Sequence, residues 1–132
     1  MILDSSAIVS VILAEPGKER ILERIAGASI VAVGAPTLVE TAMVLSSRIG
    51  RDARPLLGDF LREMEVEVVP FGVEHWEAAV DAFLRFGKGR HAAGFNFGDC
   101  LTYAVARLSG LPLLFTGEDF SQTDLPAAGK GF

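Results

Sequence analysis

The chain of 132 residues has one cysteine, Cys100. A single thiol excludes an intrachain disulfide and a cysteine-rich zinc site, and it fits a reducing compartment. The two histidines, His75 and His91, have no spacing that suggests zinc. Long hydrophobic runs are missing too. The apolar stretch around Val9 to Ala14 ends at Glu15-Pro16, too soon to span a bilayer. Met1-Ile2-Leu3-Asp4 lacks a basic start and meets an acid at once, so no signal peptide is expected. There is no Gly/Ser/Pro linker, internal repeat or low-complexity tract, and one domain over residues 1–132 is expected. Positive charge is in deficit: the net charge is −5. That argues against a broad basic face gripping duplex nucleic acid. It does not exclude a nuclease whose acidic site holds a metal ion, because a bound cation reverses the local field.

What the chain does have is four carboxylates in apolar company. Asp4 follows Met1-Ile2-Leu3. Glu40 is the only ionisable residue between Ala35 and Ser47. Asp99 precedes Cys100-Leu101-Thr102-Tyr103-Ala104. Asp119 follows Leu114-Phe115-Thr116-Gly117-Glu118. Such groups are costly unless paired, hydrogen-bonded or bound to metal.

Hydrophobic periodicity orders the rest. Met1 to Leu3 predicts a buried strand, and Ser5 to Ala14 a short apolar helix. Pro16 suits the first turn of a second helix through about Ala26. Ser29 to Val33 predicts a strand, then Pro36 to Ser47 a largely buried helix, and Ala53 to Met64 another. Glu65 to Pro70 alternates as a strand near a sheet edge would. Val73 to Phe86 predicts an amphipathic helix, with Trp76 and Phe83 in a core or dimer stripe. Gly87 to Gly98 predicts a loop, and Asp99 to Ser109 a helix stopped by Gly110. Leu111 to Phe115 predicts a strand, with Thr123 to Leu125 as a short final one. Strands alternating with helix pairs imply a mostly parallel sheet of four to five short strands, covered on both faces. Ligands of such sheets bind beyond the carboxyl ends of the strands. All four acids lie at or near that rim.

Each acid also has an ordinary reading. Asp4 or Asp99 could be a helix N-cap, with Asn96 an alternative near the latter. Glu118 and Asp119 could be turn residues. Glu40 has no Lys or Arg three or four residues away, so either it meets a partner from elsewhere or it helps to bind a cation. One account covers all four. Clustered oxygen ligands without His or Cys match a hard divalent ion, Mg²⁺ or Mn²⁺. The ion would relieve the repulsion of like charges, and the matching chemistry is hydrolysis of a phosphodiester. Asp4 and Asp99 are the best direct ligands. Glu40 and Asp119 could ligate, hold waters or place a second ion. Ser6 could hydrogen-bond a phosphate or an outer water.

These residues resemble the PIN-domain ribonucleases, particularly the VapC toxins of type II toxin–antitoxin pairs. The likeness rests on Ile2-Leu3-Asp4-Ser5-Ser6-Ala7, Leu38-Val39-Glu40-Thr41 and Lys88-Gly89-Arg90-His91. It continues through Asn96-Phe97-Gly98-Asp99-Cys100, then Pro112 to Phe120, then Thr123-Asp124. The pieces cover nearly the whole chain in order. The resemblance implies an α/β/α sandwich and endoribonuclease activity dependent on Mg²⁺ or Mn²⁺. It implies a cytoplasmic homodimer and a small cognate antitoxin in the active-site groove, in a heterotetramer or larger assembly. Its metal-binding, catalytic acids carry over to Asp4, Glu40, Asp99 and Asp119, with Glu118 beside the last as an alternative. Ser6, Thr116 and Glu118 stand as supporting residues. Beyond the metal, no cofactor site is expected.

Lys88, Arg90 and His91 could contact RNA phosphates, or line a plain polar loop. Cys100 is expected to pack rather than react. Three other readings compete. A haloacid-dehalogenase-like phosphatase would need a second Asp two positions after Asp4, where Ser6 stands. A receiver domain would need clustered acids near the first strand and a late lysine. A third reading is a non-catalytic PIN-like binding module, which the four acids disfavour.

Overall fold

The computed structural model describes residues 1–128. Four short strands form the sheet: β1 (Ile2–Leu3), β2 (Ala32–Gly34), β3 (Glu67–Val69) and β4 (Leu113–Leu114). Their spatial order is β3-β2-β1-β4, and every pairing is parallel. Six helices connect them: α1 (Ser5–Ile12), α2 (Lys18–Ala26), α3 (Ala35–Ile49), α4 (Arg54–Glu63), α5 (Val73–Phe86) and α6 (Phe97–Ser109).

The period of two in the strands builds the layers. Leu3, Val33 and Leu114 point to one face, where they pack with Ile8 of α1, Ile21 of α2, Leu45 of α3 and Leu57 of α4. Ile2, Ala32 and Leu113 point to the other, against Ala82 and Phe86 of α5 and Tyr103 to Ala106 of α6. The result is a three-layer α/β/α sandwich. Close packing of α6 on β2 requires a residue without a side chain: a Cβ at Gly34 would stand 2.7 Å from Val105 Cγ2.

Most predicted elements are present, with four corrections. Pro16 lies in a turn before α2, and Gly17 with φ +94° is the residue that starts that helix. The α3 helix is not largely buried. Only Thr37, Thr41 and Leu45 are fully buried, Leu38, Ala42 and Ile49 pack partly against the core, and Val39 and Met43 are exposed. Its apolar content serves a surface. Likewise Trp76 and Phe83 of α5 are exposed, so the core half of their reading fails. Finally, Thr123 to Leu125 form no strand. The tail makes a single parallel bridge, Leu113 to Ala127, because it turns repeatedly: Ser121 N donates to Glu118 O, and Thr123 N to Phe120 O.

Parallel pairing puts all strand carboxyl ends on one rim. Asp4 leaves β1 there, α3 begins directly after β2, and Thr116 to Asp119 follow β4. The start of α6 lies there too, because the helix must run back before β4 begins.

Candidate active site

Asp4 is both the N-cap of α1 and a buried acid, with 7% of its surface exposed. Ser6 N and Ser6 Oγ donate to its Oδ2 at 3.1 and 2.7 Å. Thr102 Oγ1 donates to its Oδ1 at 3.0 Å. Burial raises its pKa, and these bonds pull it partly back. The capping and site readings are therefore not alternatives: capping fixes the carboxylate at the rim.

Asp99 does not open its helix. Asn96 is the N-cap, and Asp99 stands at N3 of a reciprocal capping box. Asp99 N donates to Asn96 Oδ1 at 2.9 Å, and Asn96 N donates to Asp99 Oδ2 at 3.0 Å. The other carboxylate oxygen is left free of protein donors among the described residues. Burial, and then the charges of Asp119, Asp4 and Glu40, push its pKa up to about 6, against a lowering by the Asn96 N–H. Asp99 thus feels all three other acids. Glu118 is not among those charges. Its carbonyl and Oε2 instead accept from Ser121 Oγ at 2.7 and 3.2 Å.

Glu40 is half-buried. Burial raises its pKa, Ser5 lowers it in part, and the charge of Asp4 raises it again. It presses on the start of α6: a Cβ at Gly98 would overlap Glu40 Oε2 and stand 2.8 Å from its Cδ. Gly98→Ala should drive Glu40 from this position. An alanine inside a helix costs nothing by propensity, so the fold should hold while activity falls about tenfold. Far-UV circular dichroism beside a cleavage assay would separate the two, and full activity would show that Glu40 can move freely.

No ion pair among the described residues involves Asp4, Glu40, Asp99 or Asp119. Arg85 and Arg107 pair with Asp124 instead. No three carboxylate, histidine or cysteine side chains among the described residues already enclose a point where a metal would be held. Asp4 and Asp99 are fixed by hydrogen bonds, whereas Asp119 is exposed and Glu40 only half-buried. The donor set fits a hard divalent cation: all oxygen, mutually repelling and without a protein counter-ion.

Ser6 sits where a phosphatase of the haloacid-dehalogenase type would have its second acid. Its hydroxyl is committed, donating to Asp4 and accepting from Thr116 N at 3.0 Å. That bond ties the start of α1 to the turn after β4. Lys88, Arg90 and His91 are exposed on a loop closed by the bridge from Gly87 to Phe95 and, among the described residues, make no ion pair with the four acids. Arg90 lies over the Phe83 ring at 5.1 Å. His91 Nδ1 accepts from Ala93 N at 2.9 Å. Cys100 is buried, as expected for packing.

Sequence reasoning missed three features. Thr102 and Thr37, which back Asp4, look like ordinary helix residues. A second is a latch in which Tyr103 Oη donates to Asp124 Oδ1 at 2.9 Å, while Arg85 donates to Asp124 Oδ2 and to Tyr103 Oη, each at 3.1 Å. It fastens the tail that carries Asp119. Its signal was Asp124, an acid in a weakly patterned tail. The third is Phe97, 81% exposed at the start of α6, beside a groove of about 680 Å³ lined by Val39, Glu40, Met43, Phe71, Phe97 and Leu101, among others.

Comparison with known proteins settles the family. The model for the PIN domain matches residues 1–125. Ribonuclease VapC36 of Mycobacterium tuberculosis is 45% identical over 130 residues, covering 98% of this chain and 94% of the relative. The chain belongs to the PIN-domain family, among the VapC ribonuclease toxins. Ribonuclease VapC of Mycolicibacterium smegmatis is 39% identical over 127 residues, covering 96% and 98% of the two chains. Two solved structures share the PIN fold. The sarcin-ricin loop cleaving toxin VapC20 of Mycobacterium tuberculosis superposes with a TM-score of 0.76 at 20% identity, over 94% of this chain and 95% of that one. A toxin–antitoxin complex from Klebsiella pneumoniae gives 0.69 at 16% identity, over 93% and 92%. Membership of this family carries a metal-dependent nuclease activity in general. No helix among the described residues is long and apolar enough to cross a membrane.

Proposed function

We propose that this PIN domain is a Mg²⁺- or Mn²⁺-dependent endoribonuclease, the toxin of a type II pair, acting in the cytoplasm. The observation that carries the proposal is Asp99. It is a carboxyl raised to about 6 by burial and by three further acids, at a rim where none of the four has a cationic partner among the described residues. Perturbed groups of this kind mark functional sites.

Asp4 and Asp99 would hold the cation, with Asp119 and Glu40 completing its surroundings. The charge that Asp119 exerts on Asp99 favours it over Glu118 as the fourth acid. When bound, the ion supplies Lewis-acid activation of a water and neutralises charge on the phosphodiester. Glu40, with its raised pKa, is suited to take a proton from the attacking water. The water oxygen bonds to phosphorus, and the bond from phosphorus to one ribose oxygen breaks, that oxygen leaving with a proton drawn from solvent. Ser6 orients Asp4 and does not reach the phosphate itself, since its hydroxyl is already used on both sides.

Single-stranded RNA would approach over the loop of Lys88, Arg90 and His91. Among these Arg90 offers a fork suited to phosphate. Arg90→Ala should weaken RNA binding about three- to tenfold, the loss of a single charge-assisted contact, and leave Mn²⁺ binding unchanged. Filter binding with a catalytically dead protein measures the first and calorimetry the second. Equal RNA affinity removes the role.

The exposed shelf of Val39, Met43 and Phe97 beside Glu40 suits the cognate antitoxin. An apolar segment could dock there and place a basic side chain among the acids. The exposed stripe of Trp76, Val80, Phe83 and Leu84 on α5 suits a homodimer, with a heterotetramer or larger assembly once the antitoxin binds. End-mapping of cellular RNA after expression tests the whole reading, with Asp99→Asn as control. New 5′ ends at defined sites, absent in the control, support it. Unchanged RNA refutes it.

A further inference from the structure

We propose that Thr37 and Thr102 are positioning residues that form a one-way hydroxyl chain and set Asp4 for the cation. The inference rests on the metal reading above. Both threonines are buried, at 2% and 1% exposure. Their hydroxyl oxygens are 3.0 Å apart, and Thr102 Oγ1 is also 3.0 Å from Asp4 Oδ1.

The direction follows from proton counting. Each hydroxyl has one proton to give. An ionised Asp4 can only accept, so Thr102 spends its proton there. Thr37 must then donate to Thr102. The chain runs Thr37 to Thr102 to Asp4 and ends on the carboxylate. Thr37 is itself held, since its carbonyl accepts from Thr41 Oγ1 at 2.7 Å.

The placement of the two threonines gives the chain its significance. Thr37 lies three residues before Glu40 on α3, and Thr102 three residues after Asp99 on α6. Residues three apart share a helix face. Two hydrogen bonds therefore link the three elements that bear Asp4, Glu40 and Asp99. Simple packing would be served as well by valine, which needs no partner and has nearly the same shape. A hydroxyl in a dry interior is costly unless bonded, and no buried side-chain N or O among the described residues lacks a partner. The hydroxyls add direction. Thr102 holds Oδ1 and Ser6 holds Oδ2, so both oxygens of Asp4 are pinned and the carboxylate plane cannot turn. Partners of this kind behind metal ligands typically change affinity by about 10–100-fold.

Calorimetric titration of the metal-free protein with MnCl₂, beside its thermal melting curve, provides the test. Thr102→Val keeps the shape and removes the donor, and should weaken Mn²⁺ binding about tenfold. Thr102→Ser keeps the donor and should stay within about twofold of the parent. Thr37→Val leaves the bond to Asp4 intact and should cost less than Thr102→Val. Equal Mn²⁺ affinity for Thr102→Val and the parent overturns the role, even if the melting temperature falls, because a purely structural residue would give that result. A larger loss for Thr37→Val overturns the direction of the chain. If Thr102→Val does not fold, Thr102→Ala against Thr102→Ser poses the same question, and equal affinities overturn the role. A parent protein that binds no Mn²⁺, or that keeps its affinity after Asp99→Asn, overturns the underlying metal reading and the inference with it; a parent that binds and is weakened by Asp99→Asn but not by Thr102→Val overturns the inference alone.

Discussion

Asp99→Asn is expected to abolish RNA cleavage and, in the absence of metal, to make the protein more stable. The two effects have one cause. Asp99 is nearly buried and feels Asp119, Asp4 and Glu40, so its ionised form is disfavoured and its pKa stands at about 6. At neutral pH the carboxylate is held ionised at a cost. Asparagine removes that cost and keeps the shape. It also keeps an oxygen to accept from Asn96 N, so the capping box at the start of α6 survives. The stability gain should be roughly 1–3 kcal/mol, from the difference between about 6 and an ordinary carboxylate. In a domain of this size that is about 3–10 °C in melting temperature. Activity moves the other way. The amide is neutral and a poor ligand for a hard cation, and cleavage should fall on the order of 10³-fold or more, beyond what losing a partner behind a ligand costs. Melting curves in a chelator, with an RNA cleavage assay, measure both. A variant that loses both stability and activity would point to Asp99 as a structural residue. A variant that cleaves RNA normally would remove it from the site.

The same trade shows why the fold was more legible than the site. The order of strands and helix pairs follows from local pattern: β-branched runs at Val31 and Val33, an amphipathic repeat from Val73 to Phe86, and glycine stops at Gly50 and Gly110. Layer assignment follows from the period of two in strands as short as Ile2–Leu3. Where the reading failed, apolar content served a surface. Val39, Met43, Trp76 and Phe83 look like core residues because composition cannot distinguish a core from an unpartnered face. The helix around Glu40 reads as largely buried for the same reason, and Glu40 itself is only half-buried.

The acids were legible as a group because charge in apolar company is costly wherever it occurs. Their supports were not. Thr37 and Thr102 meet across 65 residues, and Thr102 reaches Asp4 across 98. No local pattern predicts such a meeting. The Asp124 latch is similar. Tyr103 and Arg85 lie on different helices, and the tail that reaches them has little periodicity. Asp124→Ala should therefore reduce activity several-fold by loosening the segment that carries Asp119, with a loss of about 1–2 kcal/mol for a partly exposed, charge-assisted network. A cleavage assay and a urea titration measure the two. Unchanged activity would mean that buried Phe120, which packs on Phe95 and Phe115, places Asp119 unaided.

The affinity for Mn²⁺ should fall about tenfold between pH 7.5 and pH 5, and the pH trend of stability should flatten when metal is added. Without metal, the sign follows from proton binding. The folded state takes up a proton on Asp99 at about pH 6, whereas the unfolded chain does so near 4. Between those values the folded state holds more protons, so stability falls as pH rises through that window. Above about 6 the cost of the ionised group is complete. Asp4 and Glu40, raised in the same direction, extend the trend, while Asp124, whose ion-pair and hydrogen-bond partners lower it against the effect of burial, opposes it at the acid end. A cation needs the carboxylate and displaces the proton. One proton with a pKa of about 6 costs about a factor of ten in affinity at pH 5. With Mn²⁺ at 100 times its dissociation constant at pH 7.5, binding adds about 2.7 kcal/mol there and about 1.4 kcal/mol at pH 5, where the affinity is tenfold lower, so the metal-free trend of Asp99 should be cancelled in the loaded protein. Titration calorimetry in two buffers of different ionisation enthalpy counts the displaced protons directly. Asp99→Asn should release fewer. Equal affinity at pH 5 and pH 7.5, with no proton release, would show that Asp99 does not meet the metal.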